Sequence, residues 1–145
     1  MRIGEIAQHA GVGVETVRYY ETRGLVPKPP RPAGGGYRAY PADTVHRIRF
    51  VRRSQQLGFA LKEIGELLEL AVDPTSSCAD IRVRAKQKLD DVNARIADLE
   101  QISGALNKLI DSCPGRGPAR KCSILGAIRT GDLGLNPITH DGKNR

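Results

Sequence analysis

Residues 78–122 read CADIRVRAKQKLDDVNARIADLEQISGALNKLIDSCPGRGPARKC. Within this stretch Ala85, Leu89, Val92, Ile96, Leu99, Ile102, Leu106 and Leu109 recur at steps of three and four, the spacing of a coiled-coil seam. One long helix is therefore predicted from about Thr75 to Asp111, broken by Pro114. Three cysteines, the full complement of the chain, bracket the seam: 35 residues separate Cys78 from Cys113 and 9 separate Cys113 from Cys122. At about 1.5 Å per helical residue the ends of the stripe lie roughly 50 Å apart, so Cys78 and Cys113 of one chain cannot share a ligand. Two copies packed antiparallel bring the start of one helix beside the end of the other. The spacing thus predicts a homodimer with two symmetric thiolate sites, each built from Cys78 of one protomer and Cys113 and Cys122 of the other. The charges Lys86, Lys88, Asp90, Asp91, Arg95, Asp98 and Glu100 fall mostly outside the seam and read as solvated or rim groups of little individual weight.

Composition agrees with a helical chain that finds much of its burial in helix-on-helix packing. The sequence is 145 residues long, with 39% hydrophobic but only 4% aromatic residues, too few large side chains for a big globular core. Its formal charge of +7 is unevenly placed: residues 1–60 hold 10 Lys and Arg against 4 Asp and Glu, while residues 61–145 hold 13 against 12. A basic first part on a nearly neutral remainder is the footprint of a nucleic-acid-binding head; a solvated basic face is the alternative. No apolar signal core follows Met1 and no run reaches the ~18 apolar residues of a membrane span, so a cytoplasmic protein without membrane contact is expected. In that compartment three cysteines are free thiols or metal ligands, not a disulfide framework.

Towards the N-terminus, Ile3, Ile6, Ala7 and Ala10 suit a short amphipathic helix, Gly11-Val12-Gly13 breaks it, and Val14, Val17 and Tyr20 resume helical spacing as far as Arg23. Helix, glycine turn and helix within about twenty residues form a helix-turn-helix pattern, whose second helix offers Glu15, Thr16, Arg18 and Tyr19 to a major groove. Residues 27–36 (PKPPRPAGGG) can only be loop. The alternating Tyr37-Arg38-Ala39-Tyr40 suggests a short strand, hence a hairpin wing carrying Arg31 and Arg38; a basic linker is the competing reading. Pro41 is placed to start a further helix through Val45, Ile48 and Val51 to Leu57, with Arg47, Arg49, Arg52 and Arg53 around it. Another amphipathic helix runs from Phe59 to Leu70. Ser123 to Ile128 suit one or two closing turns, and the tail beyond Thr130 has no periodic pattern and reads as disordered.

A cytosolic site of three thiolates favours a soft, thiophilic ion over Mg²⁺, Ca²⁺ or Mn²⁺. A structural zinc site normally requires four ligands. His9 and His46 fall in the head and read as surface groups, and His140 sits in the tail, within conceivable reach of the loop. Arg116, Arg120 and Lys121 would favour the thiolate forms of Cys113 and Cys122. The competing view, three buried apolar thiols, fits poorly with cysteines clustered at the two ends of one seam. There is no Cys-x-x-Cys pair, Ser/His/Asp set or paired carboxylate to support an enzyme.

The segments Ile3-Gly4-Glu5-Ile6-Ala7, Val14-Glu15-Thr16-Val17-Arg18-Tyr19-Tyr20-Glu21, Gly24-Leu25, Gly36-Tyr37-Arg38-Ala39-Tyr40 and Leu57-Gly58-Phe59, in this order, resemble the MerR family of metal-responsive transcription regulators. The resemblance covers nearly the whole chain up to about residue 130. It implies a mostly α fold: a winged helix-turn-helix DNA-binding domain (residues 1–72), a dimerisation helix in an antiparallel coiled coil (73–112), a metal-binding loop and short helix (113–129) and a disordered tail (130–145). It further implies a homodimer on double-stranded operator DNA with RNA polymerase as partner, repressing without metal and activating with metal by untwisting and bending the promoter. DNA contact is assigned to Thr16, Arg18, Tyr19, Tyr20, Tyr37 and Arg38, and metal to Cys78, Cys113 and Cys122. Copper(I) sensors of the family have Ser where Cys78 stands, zinc sensors carry a Cys-Cys pair and a loop histidine, and cadmium sensors tend to have a shorter loop. Mercury sensors resemble this chain in both cysteine spacing and the Leu57-Gly58-Phe59 segment, so Hg(II) is the expected effector, with Pb(II) or Cd(II) next. A DNA-binding structural protein with tightly held zinc is the alternative of another class. Gly13 departs from the Asn or Ser that many relatives use to cap the recognition helix.

Overall fold

The computed structural model describes residues 1–135. These residues form α1 (Ile3–Ala10), α2 (Val14–Thr22), α3 (Thr44–Gln56), α4 (Leu61–Val72), α5 (Cys78–Ser112) and α6 (Ser123–Thr130), with a single 3-10 turn at Ala119–Lys121 before α6. They fall into two compact units, Met1–Lys88 and the remainder from Leu89, and α5 contributes to both.

The first unit is built on a small apolar core. α1 packs on α2 and α3, and α3 on α4. The inward faces of the four helices put Ile6, Val17, Ile48, Val51 and Ile64, all fully buried, into their common interior, joined by Val26 from the loop. Each such aliphatic residue contributes roughly 1.5–3 kcal/mol by leaving water. The turn between α1 and α2 depends on Gly11, whose φ of 74° is left-handed; it lets the Gly11 and Val12 amides donate to Gln8 and Ala7 carbonyls and close the end of α1. Gly13 caps α2 without a side-chain hydrogen bond, as its lack of a side chain requires. Three arginines of α3 bond to loop and helix-end carbonyls: Arg47 Nε to Leu25, Arg49 Nη2 to His9 and Arg52 Nη1 to Gly11, at 2.7, 2.8 and 2.7 Å. Part of the head's positive charge is therefore structural.

The loop and the start of α3 differ from what the sequence suggests. Among the described residues no strand forms, and Tyr37–Tyr40 is extended chain, not the strand of a hairpin wing. The reason lies in the opposite arm: Pro27, Pro29, Pro30 and Pro32 have no amide hydrogen to give to a ladder. Tyr40 instead exchanges backbone hydrogen bonds with Met1, its amide donating at 2.7 Å and the Met1 ammonium returning one at 3.1 Å. The third helix also starts later than Pro41, because Pro41–Asp43 form a turn in which the Thr44 amide donates to Pro41.

A further correction concerns Lys88, read from sequence as a solvated rim charge. It is only 5% exposed. Its ammonium lies 2.8 Å from Glu63 Oε1 and over the Phe59 ring. Glu63 Oε1 also accepts the Ala60 amide at 2.8 Å, so the carboxylate that caps α4 is the one that holds α5. One turn earlier on α5, Arg84 pairs with Glu66. This two-rung ladder ties the first turns of α5 to α4.

α5 begins where the sequence leaves the Asp73-Pro74-Thr75 break, with the Ser77 amide donating to Asp80 Oδ2 at 2.8 Å. In the second unit the seam residues Leu89, Ile96, Leu99, Ile102 and Leu106 stay exposed, Leu99 to 63%. None of the described residues 89–135 is buried. The closing helix expected at Ser123–Ile128 is present as α6, ended by the left-handed Gly131. His140 and the tail from residue 136 lie outside the described residues, so the reading of that tail as disordered does too.

Candidate functional site

Two surfaces collect the residues singled out from the sequence. The first is an open cleft of about 560 Å³ between α2 and the proline-rich loop, with Arg18, Lys28, Arg31, Tyr37 and Arg38 along its walls. The helical repeat on α2 sends Val17 and Tyr20 inward and leaves Arg18 and Tyr19 exposed, with Thr16 half-buried one turn before Tyr19. Arg38 Nε is anchored on the Pro29 carbonyl at 2.8 Å, which orients the rest of the guanidinium along the cleft. Four cations face a single carboxylate there, Glu21, and that group is engaged by the Tyr40 hydroxyl at 2.9 Å. Burial, reinforced by this hydrogen bond to Glu21, pushes the Tyr40 phenol up to about 12, so it remains a donor. The cleft therefore offers guanidinium and ammonium groups to an anion with repeated charge, as a nucleic-acid backbone is.

Tyr20 does not belong to this surface. It is 3% exposed and its hydroxyl donates to Gln55 Oε1 at 2.7 Å, locking α2 to α3. Burial raises its pKa, opposed by the nearby Arg52 charge. Tyr19 is available, but its hydroxyl accepts a hydrogen bond from Arg23 Nη1 at 3.1 Å.

The second surface is the thiol loop. Cys113 directly follows α5 and Cys122 caps α6; the loop between them brings their sulfurs to 4.0 Å. Backbone amides of Leu125 and Ile124 point at the Cys122 sulfur and lower its pKa, aided by the Cys113 thiol and opposed by partial desolvation. This is the electrostatics of an anion at a helix N-terminus. At a metal–thiolate bond of about 2.3 Å, two sulfurs on one ion stand about 3.8 Å apart in a tetrahedral site and about 4.0 Å in a trigonal one. The pair thus fits a shared thiophilic ion with little movement. Cys78 opens α5 and is exposed. No group of three His, Cys, Asp or Glu that could hold a metal occurs among the described residues, so one protomer supplies two thiolates at this place. His9 and His46 are exposed and belong to neither surface.

Sequence reasoning missed Lys28 on the cleft, Arg2 over the Tyr37 ring and the Glu63–Lys88 pair. None has a local signal, because each acts on a partner distant in the chain or on a shape made by the loop.

A helix-turn-helix head with a cation-lined cleft, followed by a long helix and a paired-thiol loop, defines a DNA-binding regulator. The family models MerR HTH family regulatory protein and MerR, DNA binding match residues 1–71 and 45–109. The chain is 40% identical over 127 residues to the mercuric resistance operon regulatory protein of Bacillus cereus, covering 88% of this chain and 96% of that one. Among solved structures it resembles the transcription regulator PbrR691 from Ralstonia metallidurans CH34 in complex with lead(II), at 34% identity and TM-score 0.78, covering 88% of this chain and 98% of that one. It also resembles the dual function transcriptional regulator MerR from Bacillus megaterium MB1 in complex with mercury(II), at 38% identity and TM-score 0.64, covering 89% and 99%. This protein belongs to the MerR family of DNA-binding transcription regulators and is not an enzyme. No helix among the described residues is long and apolar enough to cross a membrane.

Proposed function

We propose that this protein is a metal-responsive regulator, with Hg(II) as effector, that controls a mercury-resistance operon from the cytoplasm. The observation that carries the reading is the Cys113–Cys122 pair, 4.0 Å apart with Cys122 at the head of α6. Two thiolates so placed await a third, and Cys78 at the far end of the same helix is the remaining cysteine. Antiparallel pairing of two copies along the exposed seam supplies it, each site taking Cys113 and Cys122 from one protomer and Cys78 from the other. The relatives solved with mercury(II) and lead(II) support a soft divalent ion, and the relative named for mercuric resistance supports mercury. Pb(II) is the second reading, favoured by the likeness to the lead(II)-bound regulator.

The dimer presents two heads to double-stranded operator DNA through Thr16, Arg18, Tyr19, Tyr37 and Arg38, with RNA polymerase on the same promoter. Repression passes to activation when the DNA is untwisted and bent, a deformation that costs roughly 1–6 kcal/mol for a site of this size. Three thiolates can supply that only by gripping the ion more tightly in one dimer conformation than in the other. The Glu63–Lys88 and Glu66–Arg84 pairs provide a rigid connection, since they join the helix that starts with Cys78 to α4 of the head.

A reporter assay across Hg(II), Pb(II), Cd(II), Zn(II) and Cu(I) tests the effector, with Hg(II) expected to induce at the lowest concentration. Cys78→Ser should abolish induction and leave operator binding intact; retained induction would refute the cross-protomer site. Tightly bound zinc that Hg(II) cannot displace would instead favour a structural metal. Arg18→Ala and Arg38→Ala should each weaken operator binding and flatten its salt dependence.

A further inference from the structure

Tyr37 stands at the mouth of the cleft, 69% exposed, at the end of the run Gly34-Gly35-Gly36. Gly35 and Gly36 have φ of 80° and 96°, so the backbone that delivers Tyr37 takes a path open to glycine and costly for other residues. These glycines have no side chains to pack against the ring. Support comes from elsewhere in the sequence: the guanidinium of Arg2 lies over the Tyr37 ring, 4.0 Å from its centroid. No ion pair among the described residues engages Arg2. Its backbone amide is held by Glu5 Oε1 at 3.2 Å at the start of α1, which fixes the base of the side chain. Ile3, the next residue, lines the same cleft as Arg18 and Arg38.

We propose that Arg2 is part of the DNA interface: its guanidinium stacks on Tyr37 to hold the ring at the cleft mouth and directs its N–H groups to a phosphate beside it. A planar guanidinium can do both, because the face used for stacking is perpendicular to the plane in which it donates. Arg38, anchored on Pro29, and Arg2, anchored at α1, then grip the backbone from two sides of a loop that glycine leaves pliable. This rests on the assignment of the α2 cleft as the DNA surface, for which Arg18→Ala is the reference.

The test uses the full-length dimer and a duplex selected by the wild-type protein from a random-sequence pool, with affinity measured across a salt series. Arg2→Ala should weaken binding roughly three- to tenfold and reduce the slope of log affinity against log salt by about one phosphate contact, ~0.9. Arg2→Lys should restore the slope but only part of the affinity, since an ammonium replaces the charge and not the planar stack. In a Tyr37→Leu background Arg2→Ala should cost less than in the wild type, because the ring it holds is gone. An unchanged slope for Arg2→Ala overturns the phosphate contact, and strictly additive losses with Tyr37→Leu overturn the stacking; either sinks the proposal. If Arg18→Ala leaves the slope unchanged, it is the assignment of the cleft that fails, and the Arg2 variants are still judged by their own slopes. Thermal unfolding of Arg2→Ala should match the wild type, as expected for an exposed side chain.

Discussion

The two units of this chain use similar apolar side chains to opposite ends. In Met1–Lys88, Ile6, Ile48, Val51 and Ile64 vanish from solvent within one chain, whereas beyond Leu89 the seam leucines and isoleucines stay on the surface of a long helix. A helix with no buried side chain over that length draws little stability from itself. The head therefore builds a core from its own chain, whereas the seam beyond Leu89 keeps an apolar surface that a second copy can cover. The two ion pairs between α4 and the first turns of α5 lie within Met1–Lys88 and tie the start of the long helix to the head.

The largest effect that would break this contrast is expected from Leu99→Asp. Each dimer carries the change twice, so it should lose on the order of 3–6 kcal/mol of association, with little effect on the fold of the head. Sedimentation analysis should show monomers with a cooperative thermal transition. Monomers that are wholly unfolded, or undisturbed dimers, would count against the division of labour.

Next in size is Ile48→Ala, which leaves a cavity in the head and should cost about 2–5 kcal/mol of unfolding free energy in a chemical denaturation experiment. Unlike the seam substitution, this loss should not depend on protein concentration. Lys88→Met should cost about 1–3 kcal/mol, because Glu63 loses its ammonium partner while still capping α4. If the ladder joins the halves, the same variant should also lower the induction ratio more than it lowers operator affinity, measured by reporter and gel shift together.

The smallest effect at neutral pH is that of Tyr40→Phe, about 1 kcal/mol for the hydrogen bond to Glu21. Its value lies in the pH dependence. The folded pKa is raised from 10 to about 12, so the stability tied to neutral Tyr40 is full below pH 10 and lost as the pH rises towards 12. The denaturation midpoint of wild type should fall across that window, and Tyr40→Phe should flatten this part of the fall. Tyrosinate absorbance should lose its latest-titrating component in the variant.

The helices were legible because their information is local and periodic. Val17 and Tyr20, or Val45, Ile48 and Val51, mark one face of a helix through spacing alone, and Gly11 marks a turn because glycine takes the left-handed conformation at little cost. The paired thiols could be anticipated for the same reason, since the prolines and glycines from Pro114 to Pro118 force the chain to fold back. The wing misled because alternation at Tyr37–Tyr40 describes one arm of a hairpin and says nothing about the other, where prolines remove the donors. Tyr20 misled because the family resemblance assigned it to DNA, although its spacing from Val17 already put it on the inward face, where its hydroxyl bonds to Gln55.

By itself, then, the order of residues determined the helices, the turn between α1 and α2, the basic bias of the head and the apolar seam along α5, all consequences of steric preference and apolar periodicity within a few residues. Only the tertiary structure decided that Lys88 is a buried rung and not a rim charge, that the Tyr20 hydroxyl bonds to Gln55, and that Arg2 reaches Tyr37. Those outcomes depend on groups many residues apart arriving at one place, where desolvation and hydrogen-bond geometry select among contacts that the linear pattern leaves open.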